Sequence, residues 1–323
     1  MIVLLSHKDD FTTDLVVREL HKRRASFRRL NTEDLPTLCA QFSSKEDLYA
    51  FRSDLFSLKL ETITSVWYRR PGVPNISERV PADLRTFALE EYNELSRCLQ
   101  GIAPPQCFWM NHPHNNAIAE NKLVQLAFMR RFKTLFPHTV VTNDPDMAWR
   151  FYQEEQQLVC KSMRQGIFTQ ASETRGIYTW LLPPGLSRED FAGVAYCPTQ
   201  LQQWIPKRAD IRTTVVGDHI ISVRIDSQML RDTSVDWRTE RLQELPHSEI
   251  GTPEQVASFI GCLMSSFHLH FAALDFVESI DGSWYFLEVN PNGQWAWLEQ
   301  LAGVRIAEAI ADTLIGGEQG HGS

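Results

Sequence analysis

No apolar run in this chain approaches the length of a membrane-spanning helix. The opening Met1-Ile2-Val3-Leu4-Leu5 is too short for the hydrophobic segment of a secretion signal and reads instead as a first buried strand. The six cysteines include no Cys-x-x-Cys pair and are scattered, the pattern of reduced, mostly buried thiols in a cytoplasmic protein, and neither metal binding nor catalysis is assigned to them. Positive charge is in deficit, 32 Lys and Arg against 40 Asp and Glu, so the net charge of −8 gives no global attraction to nucleic acid. The chain also lacks a Gly-x-x-x-x-Gly-Lys-Ser/Thr loop, and no Gly-x-Gly-x-x-Gly follows a strand. Phosphate recognition, if present, must therefore come from side chains and a hairpin rather than from a glycine-rich helix N-terminus.

What is present is enough chain for more than one core. At 323 residues, two or three subdomains are expected. The first strand (2–6), a helix over Phe11–Arg24 and an extended piece near Phe27–Leu30 form a βαβ-like opening. A strand over Ser65–Pro71 and a helix over Ala82–Leu99 follow, and Pro104-Pro105 marks a break. One helix is expected over Asn115–Phe132. Leu158–Lys161 reads as a strand with Gly176–Leu181 as its antiparallel neighbour. Val215-Val216-Gly217-Asp218-His219 is a tight hairpin turn. A helix from Pro253 leads into two apolar strands, a last helix runs over Leu301–Ile315, and the glycine-rich tail from Gly316 reads as disordered.

The most informative stretch is Phe286-Leu287-Glu288-Val289-Asn290-Pro291-Asn292-Gly293-Gln294-Trp295. On a strand, residues i and i+2 share a face, so Glu288 and Asn290 present two hard oxygen donors side by side. Pro291 and Gly293 then end the strand. Asp275 lies in the preceding apolar strand, and the Asp281-Gly282 turn between the two folds it back toward Glu288 and Asn290. Three oxygen ligands with room left for water and phosphate suit Mg²⁺. Read in order, Lys122, Lys161, Asp210-Ile211-Arg212, Asp275, Glu288 and Asn290 supply the cations and metal donors that a nucleoside triphosphate site needs.

This order resembles the ATP-grasp ligases. Asn121-Lys122-Leu123, Val159-Cys160-Lys161, Gln202-Gln203-Trp204-Ile205, Asp210-Ile211-Arg212 and Leu287-Glu288-Val289-Asn290-Pro291 carry the resemblance. Within that superfamily, Trp67-Tyr68-Arg69-Arg70-Pro71, Ile177-Tyr178-Thr179, Asp236-Trp237-Arg238 and Asn290–Trp295 are similar to the graspetide synthetases, the microviridin-type maturases of ribosomal peptides. The resemblance implies an α/β (α+β) chain with the ATP-grasp fold: an N-terminal α/β domain (1–105), a central subdomain (106–190) and a C-terminal subdomain with the metal site (191–318), clasping ATP between two antiparallel sheets, then a short flexible tail (319–323). Lys122 and Lys161 would contact the phosphates, and Gln203, Trp204 and Ile205 the adenine. Asp210 and Arg212 would belong to the same nucleotide site, Arg212 steadying the triphosphate or an acyl phosphate. Asp275, Glu288 and Asn290 would hold Mg²⁺. Arg69, Arg70, Asp236 and Arg238 would meet the substrate, and Arg212, Arg238 and Lys161 would stabilise charge in the reaction. The run Arg164–Gln170 departs from the glycine-rich loop common after the second lysine, with one glycine.

The implied activity is ATP-dependent activation of Asp or Glu side chains of a ribosomally synthesised precursor peptide, followed by ring closure onto Ser, Thr or Lys. The family also suggests a homodimer. Two alternatives stay open: a ligase that adds free amino acids to a protein tail or a small acid, and a non-catalytic peptide-binding module on the same scaffold.

Overall fold

A computed structural model describes residues 1–46, 48–54, 56–132, 136–155, 157–164, 167–170, 173–176, 179–230, 233–238 and 241–319. The βαβ opening forms a parallel four-stranded sheet in the order Phe27–Asn31, Ile2–Ser6, Ser65–Tyr68, Phe108–Met110. Ile2–Leu5 is a continuous apolar run with both faces buried, as parallel strands covered on two sides require. One cover is the helix Phe11–Lys22, started by Asp10, whose carboxylate accepts from Thr12 N at 3.1 Å. A short antiparallel sheet of Cys39–Ser43, Leu48–Arg52 and Ser57–Lys59 is inserted before the Ser65 strand.

The opposite face, with Val3, Leu5 and Val66, packs on Leu99 and on Phe51 and Leu58 of the inserted sheet. The Ile2 and Leu4 face is covered again from the far end of the sequence. Helix Ile306–Gln319 packs on the N-terminal sheet, and Ile306, Ile310 and Leu314 share one core with Ile2, Leu4 and Trp67. This corrects the disordered reading of the glycine-rich end: the helix includes Gly316 and Gly317. A Cβ on Gly317 would lie 2.5 Å from the Phe108 ring, so that glycine permits close helix–sheet approach. Residues 320–323 lie outside the described residues.

A second correction concerns the helix expected over Asn115–Phe132. It is two helices, Pro113–Glu120 and Lys122–Met129. Asn121 stands between them in extended conformation, and its side-chain oxygen accepts from Leu123 N and Val124 N at 3.0 and 3.3 Å. An Asn inside a helix competes for backbone donors, and here it becomes the cap of the second helix. Lys122 is thereby placed at the first position of that helix.

Two antiparallel sheets follow. The smaller runs Trp180–Leu181, Leu158–Lys161, Thr199–Gln203, Thr139–Thr142. The neighbour expected over Gly176–Leu181 is thus only Trp180–Leu181; Glu173–Gly176 pairs instead with Ile167–Gln170, and residues 177–178 lie outside the described residues. The larger sheet runs His247–Ile250, His219–Ile225, Lys207–Val216, Phe271–Ser279, Trp284–Asn290. The expected hairpin at Gly217 and Asp218 joins its second and third strands, with Gly217 at φ +55°. Helix Glu254–Ser266 buries Val256, Ile260 and Leu263 against its apolar face.

The other face of the larger sheet carries charge. Arg212 is opposite Asp275, and Asp275 opposite Glu288, one transverse row across three strands. An irregularity follows at once, where Phe276 pairs with Phe286 and Leu287 is left over. Such a bulge re-aims side chains locally. No helix among the described residues is long and apolar enough to cross a membrane, and all six cysteines are unbridged.

Candidate active site

The two antiparallel sheets bound a cavity of about 670 Å³. From the smaller sheet come Lys161, Gln202 and Gln203, continuing into Trp204 and Ile205. From the larger sheet come Asp210, Asp275, Glu288 and Asn290. Lys122 enters from its capped helix, and Asp236 and Arg238 from the segment after the Lys207–Ile225 hairpin. Residues spread over more than 160 positions of sequence therefore meet in one place.

The cations are paired with the carboxylates. Lys122 Nζ lies 2.5 Å from Glu288 Oε2, and Arg238 Nη1 lies 3.6 Å from Glu288 Oε1. Arg238 also makes a two-armed contact with Asp236, Nε to Oδ1 at 2.9 Å and Nη2 to Oδ2 at 2.8 Å. Asp236 Oδ2 accepts from Thr179 N as well, at 3.1 Å. Burial opposes the charge of Asp236, but these partners outweigh it and hold the carboxyl below its usual range. Glu288 is likewise lowered against the cost of burial, by Lys122 and Arg238. Asp275 is pushed upward, because burial and the nearby Glu288 charge outweigh the help from Arg212.

Lys161 Nζ donates to Gln202 Oε1 at 2.7 Å, a neutral partner. Burial pushes its pKa down to about 8; Glu288 opposes the shift, and Arg238 and Lys122 add to it. Gln202 is the residue to which sequence reasoning gave no role, although it stands in the quoted Gln202–Ile205 run. A second such residue is Lys207. It donates to both oxygens of Asp210 at 2.7 and 2.8 Å and sits 5.4 Å from the Trp204 ring centre. Its i, i+3 spacing to Asp210 on a strand gave no signal, since alternate faces are expected there; the register irregularity between Lys207 and Ala209 brings them together.

Three expected site residues stand elsewhere. Arg212 is 6% exposed and lies behind Asp275, donating to Asp275 Oδ1 at 2.7 Å and to Gln294 O at 3.1 Å, so it does not line the cavity. Arg69 has no exposed surface, which removes it from contact with a substrate. It donates to Asn292 O at 2.5 Å, Gly293 O at 3.1 Å and Gln294 Oε1 at 2.7 Å. Arg70 Nε donates to the same Asn292 O at 3.0 Å. Successive strand residues point to opposite faces; Arg70, at φ +45°, leaves the strand geometry and so reaches the carbonyl that Arg69 also holds. The Arg164–Gln170 run and the Ile177-Tyr178-Thr179 piece fall partly outside the described residues.

Asp275, Glu288 and Asn290 suit a divalent cation by chemistry: two carboxylates and a carboxamide, hard oxygens on adjacent strands at a cavity wall. Among the described residues no group of three His, Cys, Asp or Glu is placed to hold a metal, so the carboxamide is needed to complete the set. Its Oδ1 accepts from Asn292 N at 3.0 Å, which fixes its direction.

Two sheets that close on a cavity of cationic side chains and oxygen donors define the architecture. The chain has the ATP-grasp fold. Residues 1–117 match the family described as the MvdD pre-ATP grasp domain. An ATP-grasp ligase associated with ribosomal peptides from Chryseobacterium gregarium, solved with ADP and a leader and core peptide, superposes with a TM-score of 0.86 at 26% identity, covering 98% of this chain and 96% of that one. The macrocyclase MdnB from Microcystis aeruginosa MRC gives 0.76 at 27% identity over 97% and 98% of the two chains. MdnC of the same organism, bound with precursor peptide MdnA, gives 0.83 at 23% identity over 98% and 99%. No curated protein sequence matches this ATP-grasp chain. Its likeness is to the peptide-maturing branch of the superfamily, as its Asn290–Trp295 run and its Trp67–Pro71 strand end suggest.

Proposed function

We propose that this ATP-grasp protein is an ATP-dependent ligase that closes rings in a ribosomally synthesised precursor peptide. The observation that carries the nucleotide half is the meeting of Lys122, Lys161 and Arg238 with Asp275, Glu288 and Asn290 on one 670 Å³ cavity between two sheets. The peptide half is supported by similarity along nearly the whole chain to a ligase solved with leader and core peptides.

In this reading Lys122 and Lys161 hold the phosphate oxygens, and Gln203, Trp204 and Ile205 line the place of the base. Bound Mg²⁺ would neutralise phosphate charge and polarise the transferring phosphoryl group. Asp275, Glu288 and Asn290 would hold it, with Arg212 fixing Asp275 from behind. A substrate Asp or Glu carboxylate attacks the γ-phosphorus; the bond to the bridging oxygen breaks and ADP leaves. A Ser or Thr hydroxyl, or a Lys amine, then attacks the acyl carbon, and phosphate leaves as the nucleophile loses its proton. Arg238, half exposed and steered by Asp236, is the arginine placed to meet the acyl-phosphate oxygens. The protein contributes position and preorganised charge.

The test is mass spectrometry of a Thr/Ser- and Asp/Glu-rich precursor peptide after incubation with enzyme, ATP and Mg²⁺ and no free amino acid. Loss of one water mass per ring is expected. A mass gain that requires an added amino acid would replace ring closure with amino-acid ligation.

A further inference from the structure

Asn290 is the donor least constrained by its own strand, since it is the last residue of Trp284–Asn290. Its side-chain oxygen is aimed by the backbone N–H of Asn292. The unit that carries this N–H has its Pro291 carbonyl held by Asn111 Nδ2 at 3.3 Å, and the next two carbonyls, Asn292 O and Gly293 O, are held by Arg69 at 2.5 and 3.1 Å, with Arg70 reaching Asn292 O as well. Arg69 also grips the Gln294 side chain, whose Oε1 accepts from Thr12 Oγ1 at 2.9 Å. Arg69 belongs to the end of the Ser65–Tyr68 strand and Thr12 to the first helix, so the donor loop is clamped from the N-terminal unit. The guanidinium is backed by Asp10, with Nε 3.5 Å from Oδ2. Asp10 is itself tied to Ser6, Thr12 and Thr13.

We propose that Arg69 is a positioning residue for the cation site: it fixes the Asn292–Gln294 backbone, and through the Asn292 N–H it fixes the carboxamide oxygen of Asn290. The proposal rests on the nucleotide–metal reading of the cavity. A buried arginine that only stapled two units together would affect stability alone. One that aims a ligand must affect cation affinity more than nucleotide affinity, because the loop it holds orients Asn290 and itself lies outside the cavity lining.

The experiment measures Mn²⁺ binding by electron paramagnetic resonance in the presence of a non-hydrolysable ATP analogue, and binding of the analogue without metal by calorimetry. Wild type, Arg69→Met, Arg69→Lys and Gln294→Leu are compared. Gln294→Leu keeps Asp10 paired and guards against a fold defect in Arg69→Met. Arg69→Met should weaken Mn²⁺ binding about tenfold or more with less than about a twofold change for the analogue, the scale of losing one charged hydrogen-bond set. Arg69→Lys should fall between, and Gln294→Leu should shift the same affinity in the same direction. Unchanged Mn²⁺ affinity in Arg69→Met and Gln294→Leu, or equal loss of metal and analogue binding in both, overturns the positioning role. Failure of the wild type itself to bind the analogue overturns the nucleotide reading, a different result.

Discussion

Lys122 Nζ and Glu288 Oε2 stand 2.5 Å apart, so a cation expected at phosphate and a carboxylate expected at metal are paired with each other. Arg238 adds a second cation to the same carboxylate. In the proposed reading, ligand binding exchanges partners: the lysine would turn to phosphate as the carboxylate turns to metal. The two affinities are then linked, and each ligand strengthens the other by the same factor. Mn²⁺ alone should bind the wild type weakly and tighten severalfold when the ATP analogue is added. Lys122→Met, which leaves Glu288 only its longer contact with Arg238, should bind Mn²⁺ more tightly than wild type without nucleotide. Identical metal affinity in the two free proteins would sink the exchange.

Glu288→Gln keeps the shape of that side chain and removes its charge. Turnover should drop by about a hundredfold or more, the scale of losing one preorganised electrostatic contact. The fold should survive with a lowered melting temperature, because Glu288 sits at the cavity edge rather than in a core but loses its pairing with Lys122 and Arg238. Near-normal ATP-dependent turnover in this variant would show that Glu288 holds no metal.

Lys161 offers a pH signature. Its folded pKa, pushed down to about 8, lies below the ordinary lysine value of 10.5. The ammonium is therefore present at pH 7 and largely lost by pH 9, and affinity for the ATP analogue should fall across that window. The sign for stability is the reverse. The folded state carries a disfavoured charge below pH 8, and that cost is relieved as pH rises from about 8 toward 10.5. Lys161→Met should thus raise the melting temperature of the nucleotide-free protein at pH 7 while weakening analogue binding. Lys161→Arg should flatten the pH profile, since its guanidinium stays charged throughout. A steep profile in the arginine variant would assign the titration to another group.

Gly293 marks how tightly the donor loop is packed. A Cβ there would come within 2.3 Å of the Ala273 Cβ and 2.8 Å of Arg212 Nη2. Ala273 is fully buried on the neighbouring strand, opposite Asn290, and has nowhere to move. Gly293→Ala should cost roughly 1–3 kcal/mol of stability, as overpacking of a filled core does. Thermal denaturation checks this, and an unshifted transition would mean that the loop yields more easily than its packing implies.

Local pattern in the sequence determined the hairpin at Asp281-Gly282 and the shared face of Glu288 and Asn290. Those features follow from turn chemistry and the two-residue period of a strand, which act over a few residues. Capping at Asn121 was equally local, and its effect on the 115–132 helix follows from a single side-chain oxygen. Tertiary structure alone decided which arginines face the cavity. Arg69, Arg70, Arg212 and Arg238 look alike as letters, yet only Arg238 lines the cavity; the other three brace the loop or the carboxylate behind it. The same holds for the glycines at 316 and 317, which compose a flexible tail on paper and a packed helix against Phe108 in space. The direction in which a long side chain spends its hydrogen bonds depends on carbonyls and carboxylates brought near from more than 200 residues away, and no short-range rule carries that information.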